Sequence, residues 1–561
     1  MTNPRVIVIS ADYPLDSDAY LRLKMANEEM RAARQSPRFP SLDLYAIQKS
    51  VNKNLQKLQL FLEGRYGILL DLINFVNNNR RFPNIGLNNA SRYHHLGNTF
   101  TLNGVYLYQY LRKKGYDPLV FQNYSLANLL ESLKLKPLAV CISSTFIYLD
   151  DIKEMAAQIK ALDPTIPVIV GGILVKKILN AGPKLAPQTL KWLSTFYGKV
   201  DAFVVETHGE QSLVRLLESL NNGVDPAKVP NLALFDGKGR IFFTPRQAES
   251  FHIDSSAIDW GKIPLKYLRR TLSVITSVGC YYRCRFCTYH RLFPKVHYKS
   301  LNVLREELRR IQALGFVRHV RFADDNFTAG RERLKAVLKM MIEEKFDFTW
   351  SSFARASSLT PDVVNLMKGS GCDLLFMGIE SGSQIILNNM NKKLNTRQAF
   401  DAIRILKACG IDSLGSFIIG YPGESVETFY QTIDLINRSG LNYYQPYLFY
   451  NSKDLLVHEE REKFGLMGLG HAWRHKTMDS VKASHLMSQT VRMIEHGFSE
   501  GKVDTWETYK TLRGEGYSRK DIFELFRLKR DLQVALEASG AERPFSQKVE
   551  CILNKLEARS T

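Results

Sequence analysis

The chain has 561 residues, of which 45% are hydrophobic and 24% are charged, and its formal net charge is +20. This composition is ordinary for a soluble globular protein of three or four domains, and no uncharged apolar run approaches the roughly 20 residues that would span a bilayer. Of the seven cysteines, four stand singly in the sequence, which argues against a disulfide framework.

The start of the chain, MTNPRVIVISADYP, lacks the basic region and apolar core of a signal peptide. Together with the scattered cysteines, this predicts a reduced, cytoplasmic protein. The basic residues are spread along predicted helices and loops, without a run of five or more. Such a distribution favours a basic solvated surface around anionic cofactors and disfavours nucleic-acid binding, which stays open as an alternative.

Residues 1–96 are predicted to form a short strand, Arg5–Ser10, followed by a polar helical region. From Gly97 strands and helices alternate, which predicts a doubly wound, Rossmann-like α/β domain over residues 97–250. Its sequence DGKG indicates a hairpin turn. The predicted strands of the parallel sheet are Pro118–Gln122, Leu138–Ser143, Pro167–Gly172 and Val200–Glu206.

A second α/β pattern covers residues 266–450. Six strands, the first five followed by helices, predict an open, partial (β/α)6 barrel, in which ligand chemistry sits at the carboxyl ends of the strands. The rest, residues 451–561, is predicted to be a helical, highly charged C-terminal domain. The predicted barrel strands are Leu272–Ser277, Phe316–Ala323, Phe348–Ala354, Asp373–Glu380, Ser413–Gly420 and Leu441–Phe449.

Three cysteines, Cys280, Cys284 and Cys287, lie within the stretch VGCYYRCRFCTYH directly after the first barrel strand. Three close thiolates can hold zinc or an iron–sulfur cluster. Zinc prefers four ligands, and His290 is close enough in sequence to be the fourth. A cluster with three protein ligands would instead leave one iron open to a substrate.

The C-x3-C-x2-C spacing, with Phe286 before the last cysteine and the loop at the reactive end of a barrel, resembles the radical S-adenosylmethionine (SAM) enzymes. The resemblance implies a 4Fe-4S cluster held by the three cysteines. It continues at the ends of later strands, which read DDNF, WSSFARA, GIESGS and GSFIIGYPGES.

In that family these strand ends bind SAM. The resemblance implies that Asp324 or Asp325 accepts from its amino group, that Glu380 contacts the ribose or the amino end, and that Arg355 pairs with the carboxylate. Phe286 would lie near the adenine. The simpler alternatives are that DDNF caps a helix and that Arg355 forms a surface ion pair.

The preceding domain is similar to cobalamin-binding domains in the stretches AVCISST, VIVGG and VDAFVVETHGEQ. An α/β domain ahead of a radical SAM barrel resembles the class B, cobalamin-dependent branch. The resemblance implies that Ser143, Ser144 and Thr145 reach the corrin side chains or nucleotide tail, and that Gly171 and Gly172 let the tail approach the backbone. The alternative is a domain that keeps the fold without the cofactor.

Two short matches are ambiguous. In RYHHLG an arginine replaces the aspartate of the cobalamin-ligating motif, so His94 is expected to be a surface histidine and not a cobalt ligand. The sequence GHAWRHKTM is reminiscent of class B methyltransferases, but Trp473, His475 and Met478 equally suit a packing cluster.

The resemblance implies a methyltransferase that uses the cluster, SAM and methylcobalamin to methylate an unactivated centre of a small natural-product precursor. It also implies an external, flavodoxin- or ferredoxin-like electron donor. The alternatives are a cyclisation or rearrangement with the same cofactors, modification of RNA, and a non-enzymatic sensor.

Overall fold

The computed structural model describes residues 3–11, 16–98, 101–122, 124–539 and 547–560. The described residues form two compact units, one made of those within 1–14 and 99–268 and the other of those within 15–98 and 269–561. Residues 1–96 are therefore divided, because their first strand belongs to the first unit and their helices belong to the second. None of the helices described combines the length and the apolar character needed to cross a membrane.

Short 3-10 helices connect several of the main elements. The strands are β1 (Arg5–Ile9), β2 (Leu60–Leu62), β3 (Arg65–Gly67), β4 (Asp117–Phe121), β5 (Ala139–Ser143), β6 (Val168–Gly171), β7 (Ala202–Val204), β8 (Leu232–Phe235), β9 (Ile241–Phe243), β10 (Thr271–Val274), β11 (Ser277–Val278), β12 (His297–Tyr298), β13 (His319–Phe322), β14 (Thr349–Ala354), β15 (Cys372–Glu380), β16 (Asp412–Ile419), β17 (Tyr443–Leu448), β18 (Met467–Leu469), β19 (Ala472–His475) and β20 (Met478–Asp479). The α-helices are α1 (Ser17–Gln35), α2 (Leu44–Gln56), α3 (Leu69–Asn77), α4 (Leu102–Lys113), α5 (Leu126–Leu133), α6 (Leu149–Leu162), α7 (Ile173–Leu179), α8 (Pro187–Leu193), α9 (Glu210–Asn221), α10 (Tyr289–Leu292), α11 (Leu301–Ala313), α12 (Arg331–Glu344), α13 (Pro361–Gly369), α14 (Gln384–Asn389), α15 (Thr396–Ala408), α16 (Val426–Ser439), α17 (Leu456–Glu459), α18 (Arg461–Phe464), α19 (Ser480–Met493), α20 (Thr505–Glu515), α21 (Arg519–Ser539) and α22 (Gln547–Ser560).

The first unit is built on a sheet with the order β4-β1-β5-β6-β7-β8-β9. The strands from β4 to β7 are parallel, and the hairpin β8–β9 extends the sheet in antiparallel fashion. Strand β5 is buried at every position, as expected for a parallel strand that is covered on both faces. The strand order reverses at β1 and β5, and in open α/β sheets ligands bind outside the carboxyl ends of the strands at such a point.

The second unit contains a parallel sheet in sequential order, β10-β13-β14-β15-β16-β17, with helices between successive strands. Strands β10 and β17 lie at its two edges, so the barrel is open. Both α/β folds predicted from the sequence are confirmed, and the carboxyl ends of these strands form one edge that collects the polar motifs.

Helix α20 covers one face of this sheet near the amino ends of the strands. Its Trp506, Tyr509 and Leu512 pack in one hydrophobic cluster with Leu374 of β15 and Tyr443 of β17. The Trp506 indole also donates to Ser351 Oγ at 2.9 Å, which satisfies its buried N–H group. The C-terminal segment is therefore part of the barrel core.

The C-terminal region is mostly helical, as predicted, but it also contains an antiparallel sheet of β18, β19 and β20 that the sequence analysis did not predict. In the last three residues of β19 burial alternates, because Trp473 and His475 are buried while Arg474 is exposed, although Ala472 before them is buried as well. This period of two is a strand signal, but four residues are too few to separate it from a loop.

Leu512→Ala should lower the free energy of unfolding by about 2–5 kcal/mol, because it leaves a cavity between α20 and the sheet. The same substitution at Leu265, which is 75% exposed, should change it by less than about 0.5 kcal/mol. Urea unfolding followed by circular dichroism measures both. Equal midpoints for the two variants would contradict the packing of α20 in the core.

Candidate active site

The three cysteines lie on a loop, residues 279–296, that is closed at its base by pairing of β11 with β12. The loop begins at Gly279, which has a φ of 99°. A Cβ atom at Gly279 would lie 2.3 Å from the Lys295 carbonyl oxygen. The base of the loop therefore requires glycine, for its backbone conformation and for its lack of a side chain.

Two adjacent carboxylates at the end of β13 fix this loop. Asp324 accepts hydrogen bonds from Thr276 N at 2.6 Å, Thr276 Oγ1 at 2.5 Å and Ser277 Oγ at 2.7 Å. Asp325 accepts from Gly279 N at 2.9 Å. Burial raises the pKa of Asp325 to about 6, whereas the Gly279 N–H and the Tyr289 side chain lower it. Asp324 thus holds the residues before the loop, and Asp325 holds its first residue.

The loop is also fixed at Arg285, in its middle. Arg285 N donates to Met390 O at 2.9 Å, and the Arg285 guanidinium forms an ion pair of 2.8 Å with Glu460. Val457 N donates to Arg285 O at 3.1 Å. Elements far apart in sequence therefore hold the cysteine loop in one position.

All three cysteines are free thiols, Cys284 buried and the others half-buried. Burial raises the pKa of Cys287 to about 11, and burial also raises the pKa of Cys280. Arg355 acts on Cys280 and Lys392 acts on Cys287 in the opposite direction. Binding of a metal group must displace the thiol protons, and these two cations favour the thiolate form.

Glu380, at the end of β15, is buried and is engaged on both oxygens. Lys392 Nζ donates to Oε1 at 2.9 Å, and Ser416 Oγ donates to Oε2 at 3.1 Å. Its backbone φ is 73°, and the pairing of β15 with β16 shifts register at this point. A non-glycine residue in the left-handed region is costly, and such strain is concentrated at functional sites.

Arg355 and Phe286 both contact the loop that contains Lys392 and Lys393. The Arg355 guanidinium lies 3.5 Å from the ring centroid of Tyr282, and its Nη2 donates to Lys393 O at 3.0 Å. Lys392 Nζ lies 5.4 Å from the ring centroid of Phe286. The surface ion pair considered for Arg355 is wrong, since this side chain is 6% exposed and its partners are carbonyl groups and an aromatic ring.

Several buried polar atoms at this edge have no hydrogen-bond partner among the residues described. They are Asn326 Nδ2, Arg355 Nε, Ser383 Oγ and Glu424 Oε1. Burial raises the pKa of Glu424 to about 8. Buried polar groups are normally satisfied, so both donor and acceptor capacity is left for a polar ligand.

His290, the fourth ligand of the zinc alternative, has both ring nitrogens buried and without a partner in the described part of the chain. Across the same residues, no group of three or more His, Cys, Asp and Glu side chains is arranged to hold a single metal ion. The three thiols beside two cations do suit a larger anionic cluster, and metal analysis distinguishes the two alternatives.

The residues expected to bind cobalamin lie in the first unit, at the strand reversal. Ser143 Oγ accepts from Asn103 Nδ2 at 3.2 Å, and Ser144 Oγ accepts from Val175 N at 3.2 Å. Thr145 is exposed. Asn103 Oδ1 is buried without a partner among the described residues, so an acceptor is available here for the amide donors of a corrin.

The two glycines after β6 differ in what they require. Gly172 has a φ of 101°, and a Cβ atom there would lie 3.0 Å from Ser144 N. A Cβ atom at Gly171 would make an ordinary contact of 3.7 Å with Val204. Gly172 is therefore constrained by the protein's own packing, whereas Gly171 leaves space beside the backbone.

The residues of the two ambiguous sequence matches, RYHHLG and GHAWRHKTM, contact other side chains of the protein. His94 lies in the second unit, half-buried, with its Nε2 3.4 Å from the Tyr517 hydroxyl. Trp473, His475 and Met478 are buried, and the Trp473 and His475 rings stack with centroids 5.3 Å apart. The second match is thus a packing cluster.

Sequence reasoning missed Lys392, Tyr282 and Asn103. Lys392 lies in the loop after α14, where nothing in NKKL distinguishes it from a surface lysine. Tyr282 stands between Cys280 and Cys284, and nothing in the sequence indicates its contact with Arg355. Asn103 lies on α4, far in sequence from the strands whose ends it joins.

Parts of the chain are similar to known proteins. Residues 274–436 match the model of a family described as the Radical SAM superfamily. The chain is 28% identical over 319 residues to a protein of Pyrococcus horikoshii named uncharacterized methyltransferase PH0819. This alignment covers 56% of this chain and 66% of that protein. It is 25% identical over 351 residues to the anaerobic magnesium-protoporphyrin IX monomethyl ester cyclase of Rubrivivax gelatinosus. This second alignment covers 58% of this chain and 60% of the cyclase. The chain thus spans slightly less than two thirds of each relative.

Among solved structures, the fold is similar to that of the radical S-adenosylmethionine methyltransferase TsrM from Kitasatospora setae, determined with cobalamin and a [4Fe-4S] cluster bound. The TM-score is 0.58 at 13% identity, over 82% of this chain and 96% of that one. At this identity the likeness concerns the fold, and it extends over both units of the chain.

Gly279→Ala should remove most of the iron that the protein retains after anaerobic reconstitution, because the new Cβ would collide with Lys295 O and displace the loop. Gly86→Ala is the matched control, since a Cβ atom there meets nothing within 4 Å. Iron and acid-labile sulfide per chain are measured for both. Wild-type iron content in Gly279→Ala would contradict the requirement for glycine.

Proposed function

On the premise that the chain carries a radical SAM domain at residues 274–436, we propose that it is a cobalamin-dependent radical SAM methyltransferase. Its substrate is a small natural-product precursor, methylated at an unactivated carbon or comparable centre. The observation that carries the proposal is the arrangement of three free thiols on a fixed loop at the carboxyl edge of an open parallel barrel, beside Arg355 and Lys392. A second supporting observation is the sheet of the first unit, which has its strand reversal at Ser143.

Cys280, Cys284 and Cys287 hold the cluster in this proposal. Asp324 is a positioning residue, because its oxygens accept from Thr276 and Ser277. Asp325, Arg355, Glu380 and Phe286 bind SAM. When bound, the cluster and SAM supply a carbon-centred radical, and cobalamin supplies a methyl group. The protein's own residues bind and orient these groups and keep water away.

Charge matching supports the assignment of the SAM residues. SAM carries a carboxylate, an ammonium group and a sulfonium. Arg355 has a buried Nε without a partner in the described chain, which suits a carboxylate. Asp325 is kept near Gly279, at the start of the cysteine loop, where a carboxylate suits an ammonium group.

Cobalamin would be held in the first unit by Ser143, Ser144, Thr145, Gly171 and Gly172. Ser144 Oγ already accepts from the first turn of α7, so it positions this helix. Thr145 is an exposed residue whose hydroxyl oxygen accepts from Ser143 Oγ at 3.1 Å, and Gly171 leaves space beside the backbone. An external electron donor of the flavodoxin or ferredoxin class completes the system, which we place in the cytoplasm.

A second candidate function is a cyclisation or rearrangement with the same cofactors. It is favoured by the match to a cyclase, which is 25% identical over 351 residues. The two functions differ in products, since both yield 5′-deoxyadenosine but methyl transfer also yields S-adenosylhomocysteine.

The triple variant Cys280→Ala, Cys284→Ala and Cys287→Ala should bind no cluster after reconstitution and form no 5′-deoxyadenosine from SAM. Cys551→Ala removes an exposed cysteine outside the site and should behave as the wild type. Metal analysis and chromatography of the SAM products measure both. A single zinc ion held by the wild type would contradict the proposal, and deoxyadenosine without S-adenosylhomocysteine in the presence of hydroxocobalamin would favour the second candidate.

Gly172→Ala should weaken retention of hydroxocobalamin roughly tenfold, because strain at a positive φ costs about 1–2 kcal/mol and shifts Ser144 and Thr145. Gly237→Ala is the matched control, since a Cβ atom at Gly237 meets nothing within 4 Å. Corrin retained after gel filtration is read from the visible spectrum. Equal retention of hydroxocobalamin by both variants would contradict the placement of cobalamin at the strand reversal.

A further inference from the structure

The sequence around the three cysteines contains positive but no negative charge. No Asp or Glu occurs between residues 271 and 305. The same segment contains lysines and arginines at six positions, Arg283, Arg285, Arg291, Lys295, Lys299 and Arg305. Because the chain as a whole is 24% charged, the absence of acids here marks a local accumulation of positive charge.

Four of these cations are neutralised by acids from other elements. Lys299 pairs with Glu307, Arg305 with Glu344, Arg285 with Glu460 and Arg291 with Glu459. Arg283 and Lys295 are exposed, and neither forms an ion pair within the described residues.

A third exposed cation comes from the neighbouring loop. Asn391 Nδ2 donates to Arg283 O at 3.0 Å, which ties the loop of Lys393 to the cysteine loop. Lys393 is exposed, and its side chain has no ion-pair partner in the part of the chain that the structure describes. Its backbone carbonyl accepts from Arg355, whose charge acts on Cys280.

The fourth member of this group is Tyr281, which is 59% exposed. Its hydroxyl lies 2.8 Å from that of Tyr298. Tyr281 and Arg283 both stand between Cys280 and Cys284 in the sequence, so they lie on the same short loop as the cluster-binding thiols. Exposed tyrosine and arginine side chains are both enriched at protein interfaces.

We infer that Tyr281, Arg283, Lys295 and Lys393 form the docking surface for an acidic, one-electron carrier protein that reduces the cluster. The inference rests on the proposed function. The carrier is oxidised by one electron and the cluster is reduced by one. Unpaired cations around a redox centre attract an acidic partner over roughly a Debye length, about 10 Å at 0.1 M salt.

Two features favour a carrier protein over RNA as the occupant. The surface is defined by four residues, which suits the small, transient interfaces of electron transfer, below about 1,200 Å². Two of its members, Tyr281 and Arg283, also stand between Cys280 and Cys284, where closeness to the cluster serves electron transfer but has no use in holding a phosphate backbone.

The test uses the reconstituted full chain and flavodoxin. The double variant Arg283→Glu and Lys393→Glu should weaken flavodoxin binding on the order of tenfold or more at low salt. The control, Lys339→Glu and Lys345→Glu, makes the same charge change on α12 and at the residue that follows it, where both lysines are exposed. Calorimetric titration with oxidised flavodoxin measures affinity without turnover, and the difference between variant and wild type should shrink at high salt.

Activity with two reductants separates this inference from the proposed function. The docking variant should lose 5′-deoxyadenosine formation with reduced flavodoxin but keep it with dithionite, which needs no docking surface. If the wild type forms none with either reductant, the proposed function fails while the binding result still decides the docking surface.

Unchanged flavodoxin affinity in the docking variant would overturn the inference. So would tighter binding of bulk tRNA than of flavodoxin to the same four residues. If the variant loses its cluster, the milder pair Arg283→Gln and Lys393→Gln is titrated instead, with the same criterion.

Discussion

The hydrogen bonds from Thr276 and Ser277 to the Asp324 carboxylate are the interaction on which the site depends. They join the carboxyl ends of two neighbouring strands, β10 and β13, at the point where the chain leaves the sheet for the cysteine loop. A buried carboxylate is costly unless it is satisfied, and here it is satisfied by groups whose positions it then determines. Asp325 extends the same arrangement by one residue, to Gly279. The thiols are thereby positioned by the sheet itself.

The charged side chains near the thiols leave an excess of positive charge. Glu380 is paired with Lys392, whereas the buried Arg355 meets carbonyl oxygens and the ring of Tyr282 and, among the residues that the structure describes, no carboxylate. An uncompensated buried guanidinium is unfavourable in isolation and becomes favourable beside thiolates, a cluster or a ligand carboxylate. The unpaired charge of Arg355 therefore favours the binding of an anionic cluster or of a ligand carboxylate at this site. The exposed Arg283, Lys295 and Lys393 continue this excess to the surface.

The sequence predicted much of this architecture because its strongest signals are local. Alternating apolar strands and helices defined both parallel sheets, and the spacing of Cys280, Cys284 and Cys287 defined the reactive loop. Features that depend on contacts distant in sequence were not predictable. The sequence motif of Asp324 suggested a SAM contact, but its hydrogen bonds to Thr276 and Ser277, 48 and 47 positions earlier, support a positioning role. Likewise, nothing local in α20 shows that Trp506 reaches Ser351, 155 positions earlier. The SAM and cobalamin residues themselves stay predictions.

The position of β1 in the first sheet has a consequence for how the protein is made. This strand lies between β4 and β5, and Arg5 is paired with Asp117, which follows it by 112 residues. During synthesis β1 emerges long before either neighbour exists, and the helices of residues 15–98, which belong to the other unit, are made in the interval. A central strand with both edges open is prone to wrong pairing and aggregation while it waits. The 112 residues that follow Arg5, up to Asp117, must therefore be synthesised before β1 can pair with β4. Nascent chains released earlier would expose an unpaired apolar strand in the cell.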